Sequence, residues 1–233
     1  MLTPARRRGV EILDDPAVDP AVRERSIADV ARSNRWLGGR RAALLAVRGA
    51  VGQLGGGGTL LDVGTGLADI PDRVRRDAGL AGVALATIGV DEAVSLLRAA
   101  RAAGRLTHVI AANAFALPFR DRSVDVVTCS QLLHHFENPD TARVLAEMNR
   151  VARRTAVVSD LRRSWFAAIG FWMVSFVFRF HRVTRHDGVV SVLRGFTGGE
   201  LSELIHSATG AAPVISHRLG FRVTARWSPR MPG

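Results

Sequence analysis

The sequence predicts an α/β fold: a doubly wound, mostly parallel seven-stranded sheet with an antiparallel closing strand, an N-terminal helical extension and a helical insertion after the fifth strand. Three observations carry this. Apolar, partly β-branched runs at 59–63, 83–90, 107–112, 124–129 and 155–159 alternate with helix-like stretches at 67–78, 92–103 and 138–152. Strand–helix alternation of this kind builds a parallel sheet covered on both faces. A glycine-containing turn, Val63-Gly64-Thr65-Gly66, joins the first strand to the first of these helices. Two strands on either side of a short turn, 213–217 and 221–225, end the chain as a hairpin.

Residues 1–55 precede the alternation and read as a helical extension or lid; 56–233 form the main domain, with an apolar insertion at 161–196. Asp14-Asp15-Pro16 and Asp19-Pro20 are turn or helix-start signals, and helices are expected at 21–32 and 40–54. Gly55-Gly56-Gly57-Gly58 reads as a flexible joint.

Composition bounds the function. All 32 basic residues are arginine, tyrosine is absent, and the net charge is +11. The arginines come in short groups such as Arg6-Arg7-Arg8 and Arg162-Arg163, without the interleaved aromatics of a nucleic-acid stripe, so no nucleic-acid partner is expected. Attraction to an anionic membrane surface uses the charge equally well. No apolar h-region follows the first eight residues, so the cytoplasm is the expected compartment, with peripheral membrane attachment as an addition. The single cysteine, Cys129, lies in a strand-like run and reads as an inert core thiol.

The glycine turn sits where open parallel sheets bind ligands, at the carboxyl ends of the strands. A dinucleotide fingerprint would need glycine or alanine where Asp69 stands, and a carboxylate there repels a pyrophosphate. S-adenosylmethionine (SAM) instead carries a sulfonium and an ammonium and no phosphate, so Asp62 and its acidic neighbours suit it. Asp91 ends the second strand 25 residues after Gly66. Its two oxygens can take both ribose hydroxyls, and the same position can cap the helix expected from Glu92.

With Asn113-Ala114-Phe115-Ala116-Leu117-Pro118-Phe119 and Asp125-Val126-Val127 added, the series resembles the class I SAM-dependent methyltransferases, especially the ubiquinone and menaquinone biosynthesis branch. The resemblance covers 59–160 and extends to the closing hairpin. It implies that Asp62, Gly64, Thr65 and Gly66 surround the methionine part, that Asp91 with Glu92 holds the ribose, that Asn113 and Ala114 flank the adenine, and that Ser130 and Gln131 lie under the methionine. The family's third glycine is Ala68 here, and its adenine-contacting acid is Asn113.

Methyl transfer from SAM needs alignment, dry surroundings and, for a phenol, a proton acceptor. His134 and His135 directly follow the fourth strand, at the ligand edge. In related quinone-pathway O-methyltransferases this stretch ligates a metal, but Gln131 and His134 replace its acids, so no metal is expected. His186 is a third base candidate. As helix neighbours, His186 and Asp187 point about 100° apart and are not expected to pair, and Asp187 reads as a helix cap. Asp160 is expected to orient an arginine such as Arg162.

The run 164–178 carries no charge for fifteen residues. As a helix it reaches about 22 Å, short of the ~30 Å membrane core, so it is expected to be covered by the sheet and N-terminal helices or to wall in a substrate, with Trp36 completing a lid. The expected activity is methyl transfer from SAM to a small lipophilic acceptor (phenolic, quinol or polyketide-like), on oxygen more than carbon. RNA methylation, and a non-catalytic membrane-associated protein of the same fold, are the alternatives.

Overall fold

The computed structural model describes residues 3–7, 9–15 and 17–230; Arg8 and Pro16, which fall in runs noted above, lie outside them. Seven strands form one sheet: β1 (Gly57–Val63), β2 (Ala84–Asp91), β3 (His108–Ala111), β4 (Val124–Ser130), β5 (Ala152–Leu161), β6 (Val214–Arg218) and β7 (Arg222–Trp227). Their order is β3-β2-β1-β4-β5-β7-β6, with β7 antiparallel to both its neighbours and the pairs from β3 to β5 parallel. The chain starts in the middle of the sheet and winds outward both ways. The crevice between the outgoing halves therefore opens at the carboxyl ends of β1 and β4.

β4 shows why both faces must be covered. Val126 packs on one side with Leu60, Val157 and the helices α2 (Gly39–Val51) and α3 (Asp69–Leu80). Val127 and Cys129 pack on the other with α5 (Asn138–Val151) and α8 (Gly198–Thr209). Burial pushes the Cys129 thiol well above its ordinary range, which keeps it unreactive. A short helix, α4 (Val94–Ala102), follows β2.

The N-terminal part divides in two. α1 (Pro20–Trp36) is capped by the Asp19 carboxylate, which accepts from the Ala21 and Val22 N–H groups. α2 buries Ala43, Val47 and Ala50 against the sheet, so it belongs to the main core. The glycine joint is also revised: Gly57 and Gly58 pair with Ala84 and Leu85 as the first rungs of β1. Parallel pairing with β2 satisfies their backbone groups, which outweighs the entropy that favours a loose tetraglycine.

The insertion forms two helices, α6 (Trp165–Val177) and α7 (Arg182–Arg194). They touch at Gly188, where a Cβ would lie 2.1 Å from the Phe171 ring. Two buried carboxylates tie this pair to the N-terminal segment. Asp187 accepts from the Ile12 and Leu13 N–H groups (2.8 and 2.9 Å), and Asp29 of α1 accepts from the His181 N–H (2.7 Å).

Candidate active site

Two adjoining spaces meet at the carboxyl edge of the sheet. The first is the crevice above the β1 turn. Gly64 and Thr65 N–H both donate to the Val90 carbonyl (2.9 and 3.0 Å), which hangs the turn on the end of β2. Gly66 N–H donates to Asp91 Oδ2 (2.8 Å), while Asp91 Oδ1 accepts from Ala93 N–H (2.9 Å). Asp91 therefore braces both loops, and the helix after it starts at Val94, two residues later than the sequence indicated. Gly66 has φ +53°, and a Cβ there would meet nothing within 4 Å. Gly64 has φ +69°, and its missing Cβ leaves room for Leu132. Both positions favour glycine on conformational grounds, and Gly66 also keeps the crevice open.

Asp62 is buried below this turn. Thr65 Oγ1 donates to its Oδ2 (2.8 Å), but among the described residues Oδ1 has no partner, and neither does the buried Ser130 hydroxyl. Burial pushes the Asp62 carboxyl up to about 7; the Thr65 bond opposes this, and Asp69 and Asp91 add to it. A buried acid, a carboxylate-rich surrounding and two orphaned oxygens fit a ligand that brings positive charge and N–H donors. Glu92 is exposed beside this crevice. Asn113 is exposed as well, and its Oδ1 already accepts from Phe115 N–H (2.7 Å).

The second space is a chamber of about 880 Å³ whose walls come from α1, α6, α7 and the β6–β7 turn. Leu13, Ile27, Val30, Phe171 and Val174 make it apolar, and Trp36 stands at its rim. Gln131 and His134, just past β4, line it on the side facing the crevice. Gln131 takes φ +55°, which turns the chain sharply between the two spaces.

His134 is buried, and its Nδ1 lies 2.7 Å from Oδ1 of the fully buried Asp160, whose Oδ2 also receives the His134 N–H (3.3 Å). Burial works against the Asp160 charge, but His134 and the Leu161 N–H overcome it and hold the carboxyl below its ordinary range. An ionised Asp160 only accepts, so Nδ1 carries a proton toward it, and Nε2 is the ring nitrogen that Asp160 does not engage. Asp160 thus serves His134 rather than Arg162, whose guanidinium lies over the Phe221 ring. His135 lines the chamber, its ring 4.3 Å from that of His134 and its Nδ1 3.9 Å from Glu11 Oε2; partial burial, then the His134 neighbour, push its imidazole down to about 3.

Two expectations about the insertion are corrected. His186 Nδ1 does pair with Asp187 Oδ1, at 2.8 Å, because the imidazole is long enough to lean across the 100° between neighbours. α7 already begins at Arg182, so Asp187 is an interior residue holding the N-terminal segment and not a cap. His186 is half exposed and is not part of the chamber wall.

The sequence missed Glu11, which the fold brings to His134 and His135 with ligand atoms within 4.8 Å of one another. Glu11 Oε1 already accepts from Ser191 Oγ (2.7 Å) and Arg194 (3.1 Å). A divalent cation would sit beside that guanidinium, so the cluster fits a metal poorly. Nothing in the local sequence announces Glu11, since the contact joins residues over 120 positions apart.

Comparison with known proteins agrees with this geometry. Residues 61–159 match the family described as "Methyltransferase domain". The strand order, the glycine turn and this match make residues 61–159 a class I SAM-dependent methyltransferase domain. The chain is similar to the demethylmenaquinone methyltransferase of Roseiflexus castenholzii, at 33% identity over 124 residues. That match covers 50% of this chain and 49% of the relative, so it spans about half the relative's length. Two solved structures share the fold. An O-methyltransferase family 2 protein from Planctomyces limnophilus in complex with apigenin gives a TM-score of 0.61 at 15% identity, covering 93% of this chain and 66% of that one. Magnesium protoporphyrin IX methyltransferase from Synechocystis with bound SAM gives 0.57 at 11% identity, covering 94% and 89%.

Proposed function

We propose that the chain transfers the methyl group of SAM to a small lipophilic acceptor, phenolic or quinol-like, with oxygen favoured over carbon. The observation that carries this is the His134–Asp160 pair, placed where the acidic crevice meets the apolar chamber. When bound, SAM supplies an electrophilic methyl on a sulfonium. Asp62, Gly64, Thr65, Gly66, Ser130 and Gln131 would hold its amino-acid part, Asp91 and Glu92 its ribose, and Asn113 and Ala114 its adenine. Asp62 ionises as the cationic groups arrive. The apolar residues of the chamber wall would pack against the acceptor and displace water from the part they cover. His134 Nε2 takes the acceptor's proton as the new bond forms, and Asp160 stabilises the imidazolium. Relationship to a quinone-pathway enzyme and fold likeness to a protein crystallised with apigenin support an aromatic acceptor.

Peripheral membrane contact belongs to the same reading. No helix among the described residues is long and apolar enough to cross a membrane. Yet Phe166, Ile169, Trp172, Met173 and Val177 point out of α6, with Phe166 60% exposed, and the chain carries +11. This outer face lets an anionic bilayer deliver a lipophilic acceptor to the chamber behind it.

The test is incubation with SAM and short-chain quinols or simple phenols, alone and in anionic vesicles, followed by mass spectrometry. A product heavier by one methyl is expected, with more product in anionic than in neutral vesicles. No methylated product from any acceptor would overturn the reading.

A further inference from the structure

Much of the chamber wall is apolar, but Glu11, His134, His135, Asp187 and Arg222 also line it. Arg222, the first residue of β7, is only 4% exposed and lines the chamber floor. Its Nε has no hydrogen-bond partner, and among the described residues no carboxylate forms an ion pair with it. Asp160 is near enough to favour its charge, but that carboxylate already receives His134 and the Leu161 N–H. Two amides join it. A Cβ placed on Gly39 would lie 3.0 Å from an Arg222 terminal nitrogen, 3.1 Å from Asn34 Oδ1 and 3.2 Å from Gln131 Nε2. Asn34 and Gln131 also line the chamber, so three polar groups from α1, the β4 edge and β7 converge on one point that a glycine leaves clear.

An uncompensated guanidinium in such a place is costly to fold around. It becomes favourable when a ligand brings the missing charge. Arginine presents parallel N–H donors in a rigid fork that matches the two oxygens of a carboxylate, and Gln131 Nε2 can donate to the same oxygens. The rest of the chamber, Val30, Leu161, Phe171 and Val174 among others, takes an apolar body.

From this geometry we propose that the acceptor is an apolar molecule carrying a carboxylate, and that Arg222 is the specificity-determining group that reads it, with Asn34 and Gln131 beside it. The inference rests on the chamber being the acceptor site of the proposed methyltransferase. It is tested by binding, without cofactor, so that its failure and that of the SAM reading can be told apart.

The experiment titrates the full chain with 2-naphthoate and decanoate and with their uncharged amides, by calorimetry. SAM affinity is measured separately on the same preparations. At least one acid is expected to bind ten-fold or more tightly than its amide. Arg222→Gln should bring that ratio within two-fold while leaving SAM affinity within two-fold. Arg222→Lys, which keeps the charge but loses the fork, should cut the ratio at least three-fold, and it carries the test if Arg222→Gln does not fold. Wild type showing no preference for either acid, or a variant keeping the full preference, would overturn the proposal. SAM failing to bind would instead overturn the reading it rests on.

Discussion

The crevice above the glycine turn and the apolar-walled chamber lie side by side, yet they are built in opposite ways. The crevice is local and acidic. Its turn, Gly64 to Gly66, and its brace, Asp91, come from consecutive strand–helix units, and backbone hydrogen bonds fix them. The chamber is assembled from distant pieces. Asp29 ties α1 to the start of α7, Asp187 ties α7 to the N-terminal segment, and Arg163 donates to the carbonyls of Pro4 and Gly195. A site for a cofactor with fixed shape and charge can live in a motif. A site for a variable acceptor is made of insertions that cover the motif.

If the two spaces divide the labour in this way, changes in each should separate kinetically. The largest effect is expected on the chamber side. His134→Ala should lower kcat by about 10²–10⁴ while SAM affinity stays within two-fold. Equal losses in both, measured by steady-state kinetics and calorimetry, would mean that His134 supports the crevice instead. Asp91→Ala is the converse. It removes a carboxylate that accepts from Gly66 and Ala93 and would bind the ribose, and SAM affinity should fall roughly 10–100-fold. Acceptor binding, titrated without cofactor, should not change.

The charge of the crevice can be tested by pH. The Asp62 carboxyl, raised to about 7 by burial, is mostly protonated at pH 6 and mostly ionised at pH 8 in the free protein. A cationic ligand binds the ionised form, so SAM affinity should rise with pH, by about ten-fold between pH 6 and 8. Asp62→Asn should flatten this dependence. A slope of the opposite sign would show that the crevice does not use Asp62 as an anion. The smallest effect concerns the turn itself. Ala68 sits at φ +57° just before α3, a conformation that costs an L-residue about 1 kcal/mol. Ala68→Gly relieves it, so thermal unfolding should shift upward by a few degrees at most, with SAM affinity unchanged.

Much of the fold was legible because parallel strands buried on both faces write themselves as apolar runs. Leu60-Leu61-Asp62-Val63 and Val124 to Cys129 were found within two residues of their ends. α8 was not found, although Thr197 and Glu200 form a reciprocal capping box, a signal present in the sequence and overlooked. The apolar run 164–178 showed its helix but not its exposure. Composition requires that such a surface be covered, and the fold leaves one face against the chamber and the other outward. His134 was visible as a candidate at the strand edge. Its partner Asp160 was visible too but given a different neighbour, because side-chain pairing across adjacent strands depends on register.

By itself, then, the sequence determined the sheet, the glycine turn and the carboxylates around it, since each follows from contacts within one strand–turn–helix unit and from backbone conformations that few residues adopt. Only the tertiary structure decided that His134 is held by Asp160, that Glu11 reaches the histidines, and that Arg222 is buried in the chamber wall with no ion pair among the described residues. Those facts depend on which distant segments pack together. Packing is set by the whole buried surface and leaves no mark on any single stretch of chain.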